Sequence, residues 1–218
     1  PVVITSSDTL RLKSPERTAD RIHSLGDNAE AEFLKALYDI SSKQFNSAMI
    51  HYGNALENSA GGKYEELYKA FYYMNRAVLR ADMIEFISSI ENNVQTLTMD
   101  DQGTTRARVK DQVSMGYDYS DAVADMRTAA GIVGDIPYIH FNLGNLLCLS
   151  SSFVEAIDSY SKAISLYPYM GDAYFNRGLV LIYLKDKEKG CIDLSHAGEL
   201  GVADAYGVIK KYCEEVEQ

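Results

Sequence analysis

The sequence is poor in the residues from which catalytic and metal sites are built. It has four histidines among 218 residues, at positions 23, 51, 140 and 196. No two of them have the spacing of a helical metal-binding pair, such as two His four residues apart. A Gly-rich phosphate loop is also missing. We therefore expect no enzyme activity, no metal site and no cofactor, and we expect His140 to be a core histidine whose hydrogen bonds are satisfied within the protein.

Cysteine is scarce as well. Cys148, Cys191 and Cys213 are three in number and contain no Cys-x-x-Cys pair. Each lies in a stretch with helical periodicity, where a lone thiol usually behaves as a small buried apolar group. The sequence therefore predicts no disulfide. Free thiols occur in the cytoplasm and also in bacterial envelope proteins, so the compartment stays open.

Long apolar runs and excess positive charge are both missing. No run approaches 18 apolar residues, so we expect no membrane-spanning helix. The chain has 21 basic and 31 acidic residues, a net charge of -10. Polyanions are held mainly through Lys and Arg, so this balance argues against nucleic acid and anionic membrane surfaces as partners. A polypeptide partner remains open. The start at Pro1 leads us to expect a mature form or a fragment.

The most informative feature present is a repeat of 34 residues. Asn142, Gly144 and Ala163 recur at the same phase 34 residues later, as Asn176, Gly178 and Ala197. The same interval carries Tyr119, Ala122 and Ala129 onto Phe153, Ala156 and Ala163. A period of this length with small residues at fixed phases indicates a helical-hairpin repeat.

The apolar spacing predicts a chain made almost entirely of helices. Before the sharp repeats, we expect an extended arm at 1–13, a short helix opening at Ser14, and helices over 28–41 and 45–56. Helices over 63–80 and 81–97, a polar loop at 98–105, and helices ending near 115 and 133 should follow. Residues 137–204, where the repeat is clearest, predict the helix pairs 138–150 with 153–166 and 172–184 with 187–199. A capping helix is expected at 203–217.

These residues resemble the tetratricopeptide repeat (TPR) family. Leu143, Gly144 and Leu147 stand at its first-helix positions, and Ala156 and Tyr160 stand at its second-helix positions. The resemblance implies an all-α, right-handed superhelical solenoid of antiparallel helix pairs. It places an N-terminal arm and short helix at 1–27 and a solenoid domain at 28–218. The expected units are 29–62, 70–103, 103–136, 137–170 and 171–204.

The glycines at the shared phase predict close helix packing. A Gly inside a helix is about 1 kcal/mol less favourable than Ala, so its presence at both Gly144 and Gly178 indicates a steric need. We expect Gly144→Leu to destabilise the fold by about 1–3 kcal/mol through overpacking.

The resemblance also implies a concave groove lined by the first helices. Three asparagines, Asn75, Asn142 and Asn176, share one phase, and similar ladders in the family bind the backbone of an extended peptide. Asn suits this role because its amide both donates and accepts; alternatively, each Asn bonds a neighbouring helix or water. The predicted groove residues are Phe71, Asn75, Tyr138, Phe141, Asn142, Asn145, Asp172, Phe175, Asn176 and Tyr183.

A carboxylate clamp, another family binding mode, is disfavoured. Asn145 and Asn176 match its asparagines, but Phe141 and Asp172 stand where the family has lysines. We expect a non-enzymatic scaffold that binds a polypeptide in the groove. A glycan- or small-ligand-binding solenoid that uses the groove aromatics, and a structural or self-association module of a larger protein, remain the alternatives.

Overall fold

The computed structural model describes Asp20 and residues 28–59, 65–93, 96–99, 105–108 and 117–214. The predicted arm at 1–13, the helix expected from Ser14 apart from Asp20, and the last four residues of the chain lie outside this part. The division of the chain at residue 27 therefore stays a prediction.

The described residues form nine helices and two short strands. The helices are α1 (Asn28–Ser41), α2 (Phe45–Asn58), α3 (Glu65–Asn93), α4 (Ser120–Ile132), α5 (Pro137–Leu149), α6 (Phe153–Leu166), α7 (Gly171–Tyr183), α8 (Lys187–Glu199) and α9 (Asp204–Tyr212). The strands β1 (Thr96–Met99) and β2 (Thr105–Arg108) lie between α3 and α4.

Consecutive helices pack as antiparallel hairpins stacked in chain order. The pairs are α1 with α2, α3 with α4, α5 with α6 and α7 with α8, and α9 packs on α8. This arrangement confirms the all-α repeat solenoid that the sequence predicts. Among the described residues, no helix has both the length and the apolar content needed to cross a membrane.

Short turns of one recurring shape connect the helices of the three hairpins that have no insertion. Lys43, Ser151 and Lys185 each adopt a positive φ, between 58° and 70°, two residues before the second helix begins. In this conformation the next amide donates to a carbonyl five residues back, as Ser152 does to Leu147 at 2.7 Å. The left-handed residue thus ends one helix and turns the chain into its partner.

The centre of the chain differs from the sequence prediction. The helix break expected at residues 81–82 does not occur, because α3 continues from Glu65 to Asn93 with Ala81 buried on its packed face. No Gly or Pro interrupts this segment, so nothing in its backbone favours a turn. Among the described residues, α3 therefore packs with α4 as one hairpin, where two units are expected at 70–103 and 103–136.

An insertion separates the two helices of this hairpin. Its strands pair antiparallel, with Thr96 opposite Arg108 and Met99 opposite Thr105. The helix expected to follow Thr105 is therefore wrong for residues 105–108, which form β2. Residues 109–116 lie outside the described part.

The repeated glycines lie at close helix contacts, as the sequence predicts. A Cβ on Gly144 would lie 2.5 Å from Cε1 of Tyr160 on α6. A Cβ on Gly178 would lie 3.0 Å from the carbonyl oxygen of Gly190 on α8. A larger residue at Gly144 would force the Tyr160 ring to shift, and one at Gly178 would be tightly packed, so α5 and α7 each approach their partner helix through a glycine.

Two hairpins share a buried ion pair that the repeat period does not reveal. Nε and Nη2 of Arg76 donate to the carboxylate of Asp125, each at 2.7 Å. Arg177 donates in the same two-pronged way to Asp193, at 2.7 and 2.8 Å. In both hairpins the guanidinium also lies over a tyrosine ring three residues earlier, Tyr73 or Tyr174. The similarity of Asn75-Arg76-Ala77 to Asn176-Arg177-Gly178 therefore reflects a shared structure.

The expectation of no disulfide is wrong. Cys191 on α8 and Cys213, the residue after α9, form a disulfide with their Cα atoms 5.8 Å apart. The bond links the capping helix to the last hairpin. Cys148 is a free, half-buried thiol. The sequence spacing gave no sign of the pair because it forms only when α9 folds back onto α8.

Candidate functional site

An open groove lies between α5 and α7, with α6 beneath it and the second half of α3 at one edge. Its cavity volume is about 510 Å³, which is within the range of ligand-binding clefts. The lining residues are Glu85, Asn145, Cys148, Leu149, Phe153, Tyr160, Asn176, Leu179, Val180 and Tyr183.

The floor of the groove is a small polar network. The Tyr160 hydroxyl donates to Oδ1 of Asn145 at 2.8 Å, and Nδ2 of Asn176 donates to the same oxygen at 2.9 Å. Sγ of Cys148 lies 3.5 Å from the Tyr160 hydroxyl. Burial raises the pKa of Tyr160, so the phenol stays protonated and remains a donor.

This network fixes the orientation of the Asn145 amide. Its oxygen accepts two hydrogen bonds, so Oδ1 faces Tyr160 and Asn176. No described residue accepts a hydrogen bond from Nδ2 of Asn145. An amide has donors only on its nitrogen, so Asn145 can offer a hydrogen-bond donor to a ligand that reaches the floor.

The walls of the groove are apolar and partly exposed. Leu149 on α5 and Leu179 on α7 both line the cavity and are 42% and 37% exposed. Tyr183 is 64% exposed, and its ring packs on Phe153 with 4.7 Å between centroids. Exposed large apolar side chains around one cavity mark an interaction site more often than single exposed residues do.

The edge formed by α3 is acidic. Glu85 lines the groove and is exposed, and no described residue forms an ion pair with it. Asp82 lies one helical turn earlier; burial and the nearby charge of Glu85 raise its pKa. Two carboxylates one turn apart thus place negative charge beside the apolar walls.

Three of the ten predicted groove residues meet in this cavity. Asn145, Asn176 and Tyr183 line it together, on α5 and α7. Phe141 is partly buried and packs on the Tyr160 ring, with 6.0 Å between centroids. Phe71 is likewise partly buried against the main core.

The remaining predicted residues lie on first helices but outside the cavity. Tyr138 and Asp172 are exposed in the first turns of α5 and α7, and Asn142 and Phe175 are half-buried farther along. Nδ2 of Asn75 donates to the carbonyl of Phe71 in its own helix at 2.8 Å. The role of these residues in binding stays a prediction.

The asparagine ladder has a different structure from the one expected. Asn176 bonds Asn145 on the neighbouring helix, and Asn75 bonds its own backbone. For both residues, this matches the alternative that each asparagine is satisfied within the protein. The free amide donor in the groove belongs to Asn145, which stands three residues after the ladder position.

Several lining residues escaped the sequence prediction. Phe153 and Tyr160 lie on a second helix, but the ring of Tyr160 reaches the groove because Gly144 leaves space for it. Glu85 lies in the segment 81–97, which the sequence predicts as a separate helix outside the groove. The signal available in the sequence was the lack of any turn residue near position 81.

The described residues contain no cluster of side chains that could form a metal site. No three His, Cys, Asp or Glu side chains in this part come together in a way that could hold an ion. Nε2 of His140 lies 2.9 Å from the carbonyl oxygen of Gly134, so this half-buried histidine makes a structural hydrogen bond.

Comparison with known proteins identifies the fold. No protein-family profile and no curated sequence matches the chain. The solved structure of YrrB, "a TPR protein with an unusual peptide-binding site", is similar at a TM-score of 0.62 and 12% sequence identity. The match covers 94% of this chain and 88% of YrrB. The crystal structure of MamA is similar at a TM-score of 0.61 and 14% sequence identity, and the match covers 94% of this chain and 99% of MamA. A MamA fragment from Desulfovibrio magneticus RS-1 is similar at a TM-score of 0.58 and 10% sequence identity, and the match covers 89% of this chain and 90% of the fragment. The chain therefore has the TPR fold, as the sequence resemblance predicts.

Proposed function

We propose that the chain is a non-enzymatic scaffold that binds an extended segment of another polypeptide in the groove between α5 and α7. The observation that carries the proposal is the Asn145 amide, held by Tyr160 and Asn176 with its donor free, at the floor of an apolar cavity. An amide donor matches a backbone carbonyl of any sequence, and the walls accept a large apolar side chain. YrrB, which has this fold, is described as having an unusual peptide-binding site.

The binding would use preformed contacts. Burying one large apolar side chain contributes about 1.5–3 kcal/mol, and one hydrogen bond contributes about 1 kcal/mol. These gains total about 2.5–4 kcal/mol and are partly offset by the ordering of the peptide, so these two contacts alone give a Kd of about 1 mM or weaker for a short segment. Tyr138, Asn142, Asp172 and Phe175 would contact the flanking residues of a longer segment.

Selection of displayed peptides on the folded protein tests the proposal. Peptides recovered on the natural chain are measured by fluorescence polarisation on a groove variant, Leu179→Ser with Tyr183→Ala. Loss of two apolar contacts should weaken binding about tenfold or more. Val154→Ser on α6 is the matched control, because Val154 is 68% exposed and lies outside the groove lining.

The contrary outcomes are distinct. Selected peptides that bind the groove variant as tightly as the natural chain would place the site elsewhere. A glycan-array signal that disappears with Tyr183→Ala, with no peptide selected, would favour the glycan alternative. A concentration-dependent dimer in light scattering that is lost in the groove variant would favour self-association.

A further inference from the structure

We propose that the segment bound in the groove carries Lys or Arg next to its large apolar anchor residue. This inference rests on the proposed function and names the class of peptide that the same groove selects.

Glu85 supplies the negative charge. It is the only charged side chain among the described residues that line the cavity. It is exposed, and no described cation pairs with it. A cationic side chain beside the anchor can therefore pair with Glu85 while the anchor occupies the apolar walls.

The positive charges on the helices that flank the groove are neutralised internally. The sequence of α5 has no Lys or Arg. Every Lys and Arg of α3 and α7 forms an ion pair: Lys69 with Glu65, Arg76 with Asp125, Arg80 with Asp121 and Asp125, and Arg177 with Asp193. An acidic peptide would thus meet the carboxylates of Glu85 and Asp82, with which no described cation pairs, and would find no unpaired cation on these helices.

The charge of the whole chain acts in the same direction. A net charge of -10 attracts cationic segments and repels anionic ones during encounter. The effect on affinity is modest, because an exposed ion pair contributes about 0.2–1 kcal/mol. The structure therefore predicts a preference among peptides, with the apolar anchor still supplying most of the affinity.

Three matched sets of end-blocked, fluorescein-labelled peptides test the preference. Each has the sequence Ala-X-Phe-X-Ala, with X as Lys, Gln or Glu, and a Leu-centred version of each is measured in parallel. By fluorescence polarisation in low salt, we expect affinity to fall from Lys to Gln to Glu, by about two- to fivefold at each step. In 0.5 M NaCl the steps should shrink, because exposed charges are screened.

Charge reversal at the groove edge gives the decisive comparison. Glu85→Gln should flatten the order, and Glu85→Lys should make the Glu peptides bind more tightly than the Lys peptides. Glu57→Lys, an exposed position on α2, changes the net charge by the same amount and should leave the order unchanged.

The outcomes separate the two proposals. If the Gln peptides lose binding with Leu179→Ser and Tyr183→Ala but Glu85→Lys does not reverse the order, the groove binds peptides and the basic preference is wrong. If reversal follows Glu57→Lys equally, net charge and not Glu85 determines the preference, which overturns the inference. If no peptide binds in a groove-dependent way, the proposed function and the inference both fail.

Discussion

Gly144 lies directly against the ring of Tyr160, so that a methyl group on its Cα would come within 2.5 Å of Cε1 and 2.7 Å of Cδ1. Tyr160 is almost fully buried, and its hydroxyl donates to Asn145 on the floor of the groove. One glycine therefore determines both how closely α5 and α6 pack and where the polar floor lies.

Gly144→Ala should destabilise the protein by at least about 1 kcal/mol, because the added methyl group forces the buried Tyr160 ring to shift from the position in which it bonds Asn145. The larger Gly144→Leu should be worse. The measurement is the free energy of unfolding in urea. Gly53→Ala is the control: Gly53 is also inside a helix, a Cβ there meets nothing within 4 Å, and the change should stabilise by about 0.5–1 kcal/mol. Equal effects at the two glycines would show that the Tyr160 contact is unimportant.

The pair of Arg177 and Asp193 can be tested against a hairpin of the same chain that lacks it. At the equivalent positions, α5 and α6 carry Leu143 and Ser159. Asp193→Ser alone leaves the largely buried guanidinium without its carboxylate and should destabilise by about 2–4 kcal/mol. Arg177→Leu together with Asp193→Ser gives this hairpin the residue pair that α5 and α6 carry naturally. The double variant should therefore recover part of the stability lost in Asp193→Ser.

A double-mutant cycle on urea unfolding measures the coupling between the two residues, which we expect to exceed about 1 kcal/mol. Arg127 and Glu155 also form an ion pair, but both side chains are more than half exposed. Their cycle should give about 0–1 kcal/mol. Additive effects in the Arg177 cycle would contradict the prediction.

The sequence predicts the fold best where the chain repeats without interruption. The 34-residue repeat that carries Asn142 onto Asn176 predicts the positions of helices α5 to α8, because small residues at close helix contacts must recur with the period of the repeat. It failed between Ala81 and Tyr119, since the insertion separates α3 from its partner α4 and destroys the constant offset. No periodic signal marks which helix packs against which across such a gap.

The groove was only partly predictable for a related reason. Position within the repeat placed Asn145, Asn176 and Tyr183 on the first helices, and these residues do line one cavity. It could not place Tyr160, which reaches the floor from a second helix because its neighbour is Gly144. Hydrogen-bond partners depend on such packing, so the free donor of Asn145 emerges only in three dimensions.

Glu32 should make the stability of the first hairpin sensitive to acid. Burial opposes its ionisation, but hydrogen bonds from His51, Asn54 and Lys35 outweigh burial and lower the pKa of Glu32 from 4.5 to about 2. A lowered pKa contributes stability that is present above the unfolded value and lost as the pH falls through the folded value. The natural chain should therefore lose stability between pH 5 and pH 2, by about 2–3 kcal/mol from this group.

Urea unfolding at several pH values, compared with Glu32→Gln, isolates this contribution. The variant should be less stable at pH 7 and should show a smaller loss on acidification, so the two curves converge near pH 2. Glu57→Gln on the exposed face of α2 removes the same charge without these hydrogen bonds and should follow the natural chain. Parallel curves for Glu32→Gln and the natural chain would contradict the prediction.

The disulfide between Cys191 and Cys213 should hold the capping helix in place. Only Ala205 of α9 is buried, so few apolar contacts oppose its detachment. Closing a loop of this length, with a sequence separation of 22 residues, stabilises by about 3 kcal/mol through the unfolded state. Reduction, or Cys191→Ser with Cys213→Ser, should therefore speed hydrogen exchange in α9 far more than in α5.

Alkylation after denaturation should modify one thiol, Cys148, without reductant and three with it. Three modified thiols in the unreduced protein would show that the bond does not form, and α9 would then depend on its contacts with α8 alone.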